Sequence, residues 1–137
     1  SATSFAPCPL VASDLPATAV SPGTYPVANI TVDQQGRITA ASTSLKGSGT
    51  VALGTSSIGS QACAAPVSVV VTGVTTSDVI TATFSGDPTS TTGYIPSTSG
   101  SLNIFVYPTT NAVNFKVCNS TANPITPGAA SVNWRVP

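Results

Sequence analysis

The sequence predicts an all-β protein in two parts: an extended Pro-rich arm with a hairpin and a Gly/Ser-rich segment over residues 1–60, then a small β-sandwich or jelly-roll-like domain over residues 61–137. Three observations predict it. The 137 residues carry four basic and four acidic side chains, no His and no Met, and are dominated by Thr, Ser, Ala, Val, Gly and Pro. Such a chain is rich in β-branched residues and turn formers and poor in helix formers. Residues 29–42, N-I-T-V-D-Q-Q-G-R-I-T-A-A-S, have the pattern of a β-hairpin. From Gln61 onward, five apolar stretches alternate with clusters of Gly, Pro, Asn, Asp, Ser and Thr.

Residues 1 to 25 contain Pro7, Pro9, Pro16 and Pro22, with Pro26 just beyond. Proline at this density removes ladder donors and fixes φ, which predicts an extended, irregular arm. In the hairpin, Ile30 and Val32 alternate with Thr31 and Asp33, and Ile38 and Ala40 resume the alternation after the loop. Gly36 supplies the positive φ that a bulged hairpin loop needs. Each arm offers two or three apolar side chains, and an isolated two-stranded hairpin is marginal in water. Burial against something else is therefore expected, with identical hairpins on neighbouring chains the nearest candidates.

Residues 43–61 place Leu45, Val51, Leu53 and Ile58 in a Gly/Ser/Thr background. Two readings are open: a flexible linker, or very short strands stitched into a multi-chain assembly. The expected oligomerisation residues are Ile30, Val32, Ile38, Leu45, Val51 and Leu53.

The five strand candidates of the second part are 67–72, 79–84, 101–107, 111–118 and 130–136. Val113, Phe115 and Val117 alternate with Asn114 and Lys116, and Val132, Trp134 and Val136 with Asn133 and Arg135, as in strands with one wet face. Val69-Val70-Val71 and Ile104-Phe105-Val106 are apolar on both faces, so one side is expected to meet the core and the other a partner chain. Three cysteines allow three single-bridge pairings. Cys63–Cys118 is preferred because both lie in the compact domain, leaving Cys8 free or cross-linked to a neighbour; three reduced thiols is the alternative. Cys118 shares the polar face of its strand with Asn114 and Lys116, which puts such a bridge at an edge.

Catalytic chemistry has little to draw on. Without His there is no Ser-His or Cys-His pair and no imidazole ligand, and the side-chain carboxylates are Asp14, Asp33, Asp78 and Asp87 alone. Asp33, Asp78 and Asp87 suit turn roles better than an acid pair or a calcium loop. No catalytic residue, cofactor or metal is assigned. Tyr94 is the candidate for surface recognition of a receptor or glycan, with pinning of its own loop the competing role. Asn29 and Asn119 begin glycosylation sequons, which matter only on a glycosylating secretory route. With 6% charged residues and zero net charge, the chain has no basic patch for nucleic acid and little colloidal repulsion between copies. No apolar run reaches the ~20 residues of a membrane-crossing helix. The start at Ser1 fits either removal of an initiator Met or cleavage of a leader.

The segment A-S-D-L-P-A-T-A-V-S-P-G-T-Y (12–25), followed by A-N-I-T-V-D-Q-Q-G-R-I-T-A-A-S (28–42), resembles the G-T-Y…I-T-V-D-x-x-G-R-I-T-A-A segment of bacteriophage tail-fibre and other virion-fibre proteins. A weaker likeness to the ends of fibre-like proteins covers G-Y-I-P-S-T-S-G-S-L-N-I-F-V-Y-P and I-T-P-G-A-A-S-V-N-W-R-V. The resemblance implies a non-enzymatic homotrimer with intertwined β-structured shafts and a tip that contacts a host surface, located on a virion or outside the cell. Two alternatives come from other classes. One is an extracellular, pilus-like filament subunit whose arm adds as a strand to the next subunit's open sheet edge. The other is a lone carbohydrate-binding sandwich, which leaves the arm and hairpin unexplained.

Overall fold

The computed structural model describes Pro9 and residues 11–137. Among them the strands are, in chain order, β1 (Ala28–Val32), β2 (Ile38–Thr43), β3 (Gly47–Ala52), β4 (Ala62–Cys63), β5 (Val67–Val70), β6 (Thr81–Phe84), β7 (Leu102–Thr109), β8 (Ala112–Asn119) and β9 (Ser131–Val136). The remainder is loop, turn and two single 3₁₀ turns, at Ala12–Asp14 and Pro88–Ser90. The chain divides into two compact units, Ser1–Thr43 and Ser44–Pro137.

In the first unit β1 and β2 form an antiparallel hairpin, with a register shift between Thr31 and Val32. Asp33 organises the loop: its carboxylate accepts from the Gln35 N–H at 3.0 Å, the Arg37 N–H at 2.9 Å and Arg37 Nε at 2.7 Å. Gly36 takes φ +79° there, as its place in the loop required.

In the second unit two antiparallel sheets share one core, the arrangement of a β-sandwich. One sheet runs β3-β9-β6 with β9 central. The other is centred on β8, flanked on one side by β7 and on the other by β4 and β5 in succession. Val113, Phe115 and Val117 of β8 meet Val132, Trp134 and Val136 of β9 in a single buried cluster. Period-two alternation thus sends every second residue of both central strands into the core. Asn119 ties the end of β8 to the neighbouring loops. Its amide donates to the carbonyls of Ile58, Gly59 and Asn123, and its Oδ1 accepts from the N–H and hydroxyl of Thr121.

The structure departs from the sequence reading at residues 44–60. The boundary expected near residue 60 lies instead between Thr43 and Ser44, because β3 is laddered along its whole length to β9. Residues 47–52 are thus a strand of the chain's own sandwich, not a flexible linker. Val51 and Leu53, expected at an oligomer contact, are 8% and 5% exposed within their own unit's core. Leu45 is half-buried in that unit. The signal was weak because Gly47 and Gly49 occupy the inward positions of β3, opposite Val136 and Trp134, and the indole supplies the bulk that the glycines lack.

Candidate functional site

The four carboxylates are spent on local structure. Asp14 accepts from the Val11 N–H at 2.9 Å. The Arg37 N–H, with further help from its guanidinium and the Gln35 N–H, holds the Asp33 carboxyl below the usual range. Lys46 Nζ, 2.7 Å from both Asp78 oxygens, does the same for Asp78, aided by the Thr75 N–H. Asp87 is lowered by the Thr89 hydroxyl and N–H as it caps Pro88–Ser90. Among the described residues no three His, Cys, Asp or Glu side chains gather as a metal site would require.

Surfaces are left as the candidate sites. The hairpin unit has no buried residue anywhere among its described positions. Ile30, Val32 and Ile38 are 51%, 59% and 43% exposed. Residues 18–25 approach the hairpin and leave a cavity of about 450 Å³ whose lining includes Val20, Tyr25, Ile30 and Ile38. Here the two strands pair with each other along their length, while their side chains stay unburied.

The second surface is the flank of the sandwich where β6 edges one sheet and β7 the other. Ala82, Phe84, Ile104 and Val106 point inward there, and with Val132 they line a cavity of about 160 Å³. Since side chains and backbone groups alternate together along a strand, the residues that point inward on β7 turn their N–H and C=O away from β8. Two observations fix that parity. The Leu102 N–H donates outward to the Gly93 carbonyl at 2.8 Å, and Pro108, which has no N–H, sits in the same register class. Ile104 and Val106 therefore present open backbone donors and acceptors at the sheet edge. On β6 the Ser85 N–H donates to Ser131, so Ala82 and Phe84 present theirs in the same way.

Comparisons with protein-family models, curated proteins and solved structures return no match.

The residues singled out from the sequence are thus dispersed. Ile30, Val32 and Ile38 share the hairpin, whereas Leu45, Val51 and Leu53 belong to the sandwich unit. Cys63 and Cys118 are bonded, directly opposed across β4 and β8 with their Cα atoms 4.0 Å apart. They lie at an edge strand on the outer face, where the polar companions of Cys118 placed them. Cys8 lies outside the described residues. Tyr94 is 6% exposed and meets Phe84 edge-on at 5.4 Å between ring centroids, so it pins its loop and does not offer a recognition surface. Asn114, expected on a wet face, is buried by its bonds to Ser68 and Thr109. The Asn119 amide is buried and fully committed, which leaves Asn29 as the exposed sequon. Of this flank, sequence reasoning marks Ile104-Phe105-Val106 for a partner contact but has no signal that β6 lies beside it.

Proposed function

We propose that this chain is a non-enzymatic structural subunit that assembles with copies of itself through residues 9–43, as a homotrimer in a virion-surface fibre of a phage tail or head. The sandwich unit forms its tip and contacts a host surface. One observation carries the reading: a two-stranded hairpin in whose unit no described residue is buried and in which Ile30, Val32 and Ile38 stand exposed. A two-stranded hairpin of this kind needs a third surface to persist, and copies of the same hairpin supply one of matching chemistry. The likeness of residues 12–42 to fibre segments supports the virion setting. The Cys63–Cys118 bond suits an oxidising, extracellular compartment, and no helix among the described residues is long and apolar enough to cross a membrane.

A second reading, a cellular filament built by strand addition, draws on the open β6–β7 flank. Its donor would be the N-terminal arm, in which Pro16 and Pro22 leave Ala17–Ser21 as a proline-free stretch able to pair. Mass photometry of the full chain separates the two. Particles at multiples of three chain masses support the trimer. A series rising by one chain mass supports the filament, and particles of a single chain mass overturn both.

A further inference from the structure

We propose that the free edge of β7 pairs with the β7 edge of a second copy, antiparallel and across a two-fold axis through Phe105. The open stretch of this edge is short and bounded at both ends. At one end the Leu102 N–H is already taken by Gly93, and at the other Pro108 has no N–H to give. Between them only Ile104 and Val106 present donors and acceptors outward. That pattern is its own complement: with two β7 strands antiparallel, Ile104 of one copy faces Val106 of the other, and each facing pair exchanges two hydrogen bonds. No other register of two β7 edges centres the open groups of both copies on one another.

The same register sets Phe105 against Phe105 of the second copy as a non-hydrogen-bonded pair, the geometry in which facing side chains come closest. Phe105 points outward and is 55% exposed, so its ring is available to the second copy. On β7 itself no side chain is charged, so the strand carries none of the lysines that ordinarily block edge-to-edge pairing. The nearest charge, Lys116, lies one strand inward beside Phe105 and away from the axis. A second copy is thus the occupant that the hydrogen-bond pattern, the central ring and the lack of charge jointly select. This contact uses the sandwich unit alone and stands or falls separately from the hairpin association.

Two kinds of variant of the full chain test it. In a Cys8→Ser background, Phe105→Cys is expected to form a disulfide-linked dimer under mild oxidation, since directly opposed outer-face cysteines are bridged in this very sheet at Cys63 and Cys118. Asn103→Cys faces Tyr107 of the other copy and is expected not to cross-link to itself, whereas a mixture of Asn103→Cys and Tyr107→Cys proteins is. Without cross-linking, Phe105→Lys places two lysines face to face and is expected to halve the assembled mass in sedimentation velocity while leaving Trp134 fluorescence unchanged. Failure of Phe105→Cys to cross-link, self-cross-linking of Asn103→Cys to the same extent, or an unchanged mass for Phe105→Lys would each overturn the pairing. Loss of β7 association caused by deleting residues 1–27, with no Phe105 cross-link, would identify a donated arm as the occupant instead.

Discussion

The indole of Trp134 occupies the space that a side chain on Gly49 would need: a Cβ built there comes to 3.3 Å from the ring, and one built on Gly47 comes to 2.6 Å from Val71 Cγ1. One large residue on β9 and two absent side chains on β3 therefore form a single packing unit. It closes the sandwich on the side of β3, while the opposite flank, between β6 and β7, stays open.

This packing predicts unequal costs for two similar substitutions. Gly47→Ala pushes a methyl group into a stiff, β-branched neighbour and is expected to destabilise the sandwich unit by about 1–3 kcal/mol. Gly49→Ala meets a gentler contact and gains back part of the strand penalty of glycine, so it is expected within about 1 kcal/mol of neutral. Guanidinium unfolding followed by the fluorescence of Trp134, the one Trp in the chain, measures both. Equal midpoints for the two variants would refute the arrangement.

Tyr94 carries a buried hydroxyl with no hydrogen-bond partner among the described residues. Removing it as Tyr94→Phe is expected to raise stability by about 1 kcal/mol, because an unsatisfied polar group is taken out of the core while the ring contact with Phe84 remains. Burial also pushes the Tyr94 phenol above its ordinary pKa. The unfolded chain then releases this proton before the folded one does, so stability is intact below about pH 10 and declines as pH rises beyond it. A spectroscopic titration should show Tyr94 ionising together with loss of the Trp134 signal, and Tyr94→Phe should weaken that alkaline decline.

The Lys46–Asp78 pair makes the opposite pH prediction. The Asp78 carboxyl is held below its ordinary range, chiefly by Lys46. Its contribution is therefore present above the unfolded carboxylate pKa and is lost as pH falls through the lower, folded value. The unfolding midpoint read at Trp134 should be flat from neutrality to about pH 4 and fall below that. Asp78→Asn should lower the neutral plateau and make the acid decline shallower, with Asp87 accounting for what remains. A variant as acid-sensitive as the parent would contradict this role.

The Cys63–Cys118 bond closes a loop of sequence separation 55, for which constraint of the unfolded chain is worth about 2–4 kcal/mol. Reduction, or replacement of both cysteines by Ser, is expected to lower the unfolding free energy read at Trp134 by that amount, shifting the midpoint down, and to leave the folded spectrum unchanged. An unshifted midpoint would show that β4 holds to β8 without the bond.

Much of this architecture was legible in the sequence, and the exceptions share a cause. The hairpin and the strands at 112–119 and 131–136 announce themselves by alternating apolar and polar residues, and those at 67–70, 81–84 and 102–109 by short apolar or β-branched runs between turn formers. β3 does not. Its inward positions are Gly47, Gly49 and Val51, and its stability comes from an indole 85 residues further on, measured from Gly49 to Trp134 (134 − 49). A local pattern carries no trace of bulk supplied from elsewhere in the chain. Tyr94 was ambiguous for a related reason, since only the folded loop brings it beside Phe84. The bond between Cys63 and Cys118 was the preferred pairing because both lie in the compact domain, and strand parity placed it at an edge. The open edge of β7 depends on knowing which strand lies beside β8, which local alternation does not specify.

The account rests on the hairpin unit completing its burial against copies of itself. The most direct test is the mass of the full chain by sedimentation equilibrium beside that of an Ile30→Asp/Ile38→Asp variant, with Trp134 unfolding as a control on the sandwich. A threefold fall in mass at an unchanged unfolding midpoint is the expected result. The same mass for both proteins would contradict the account.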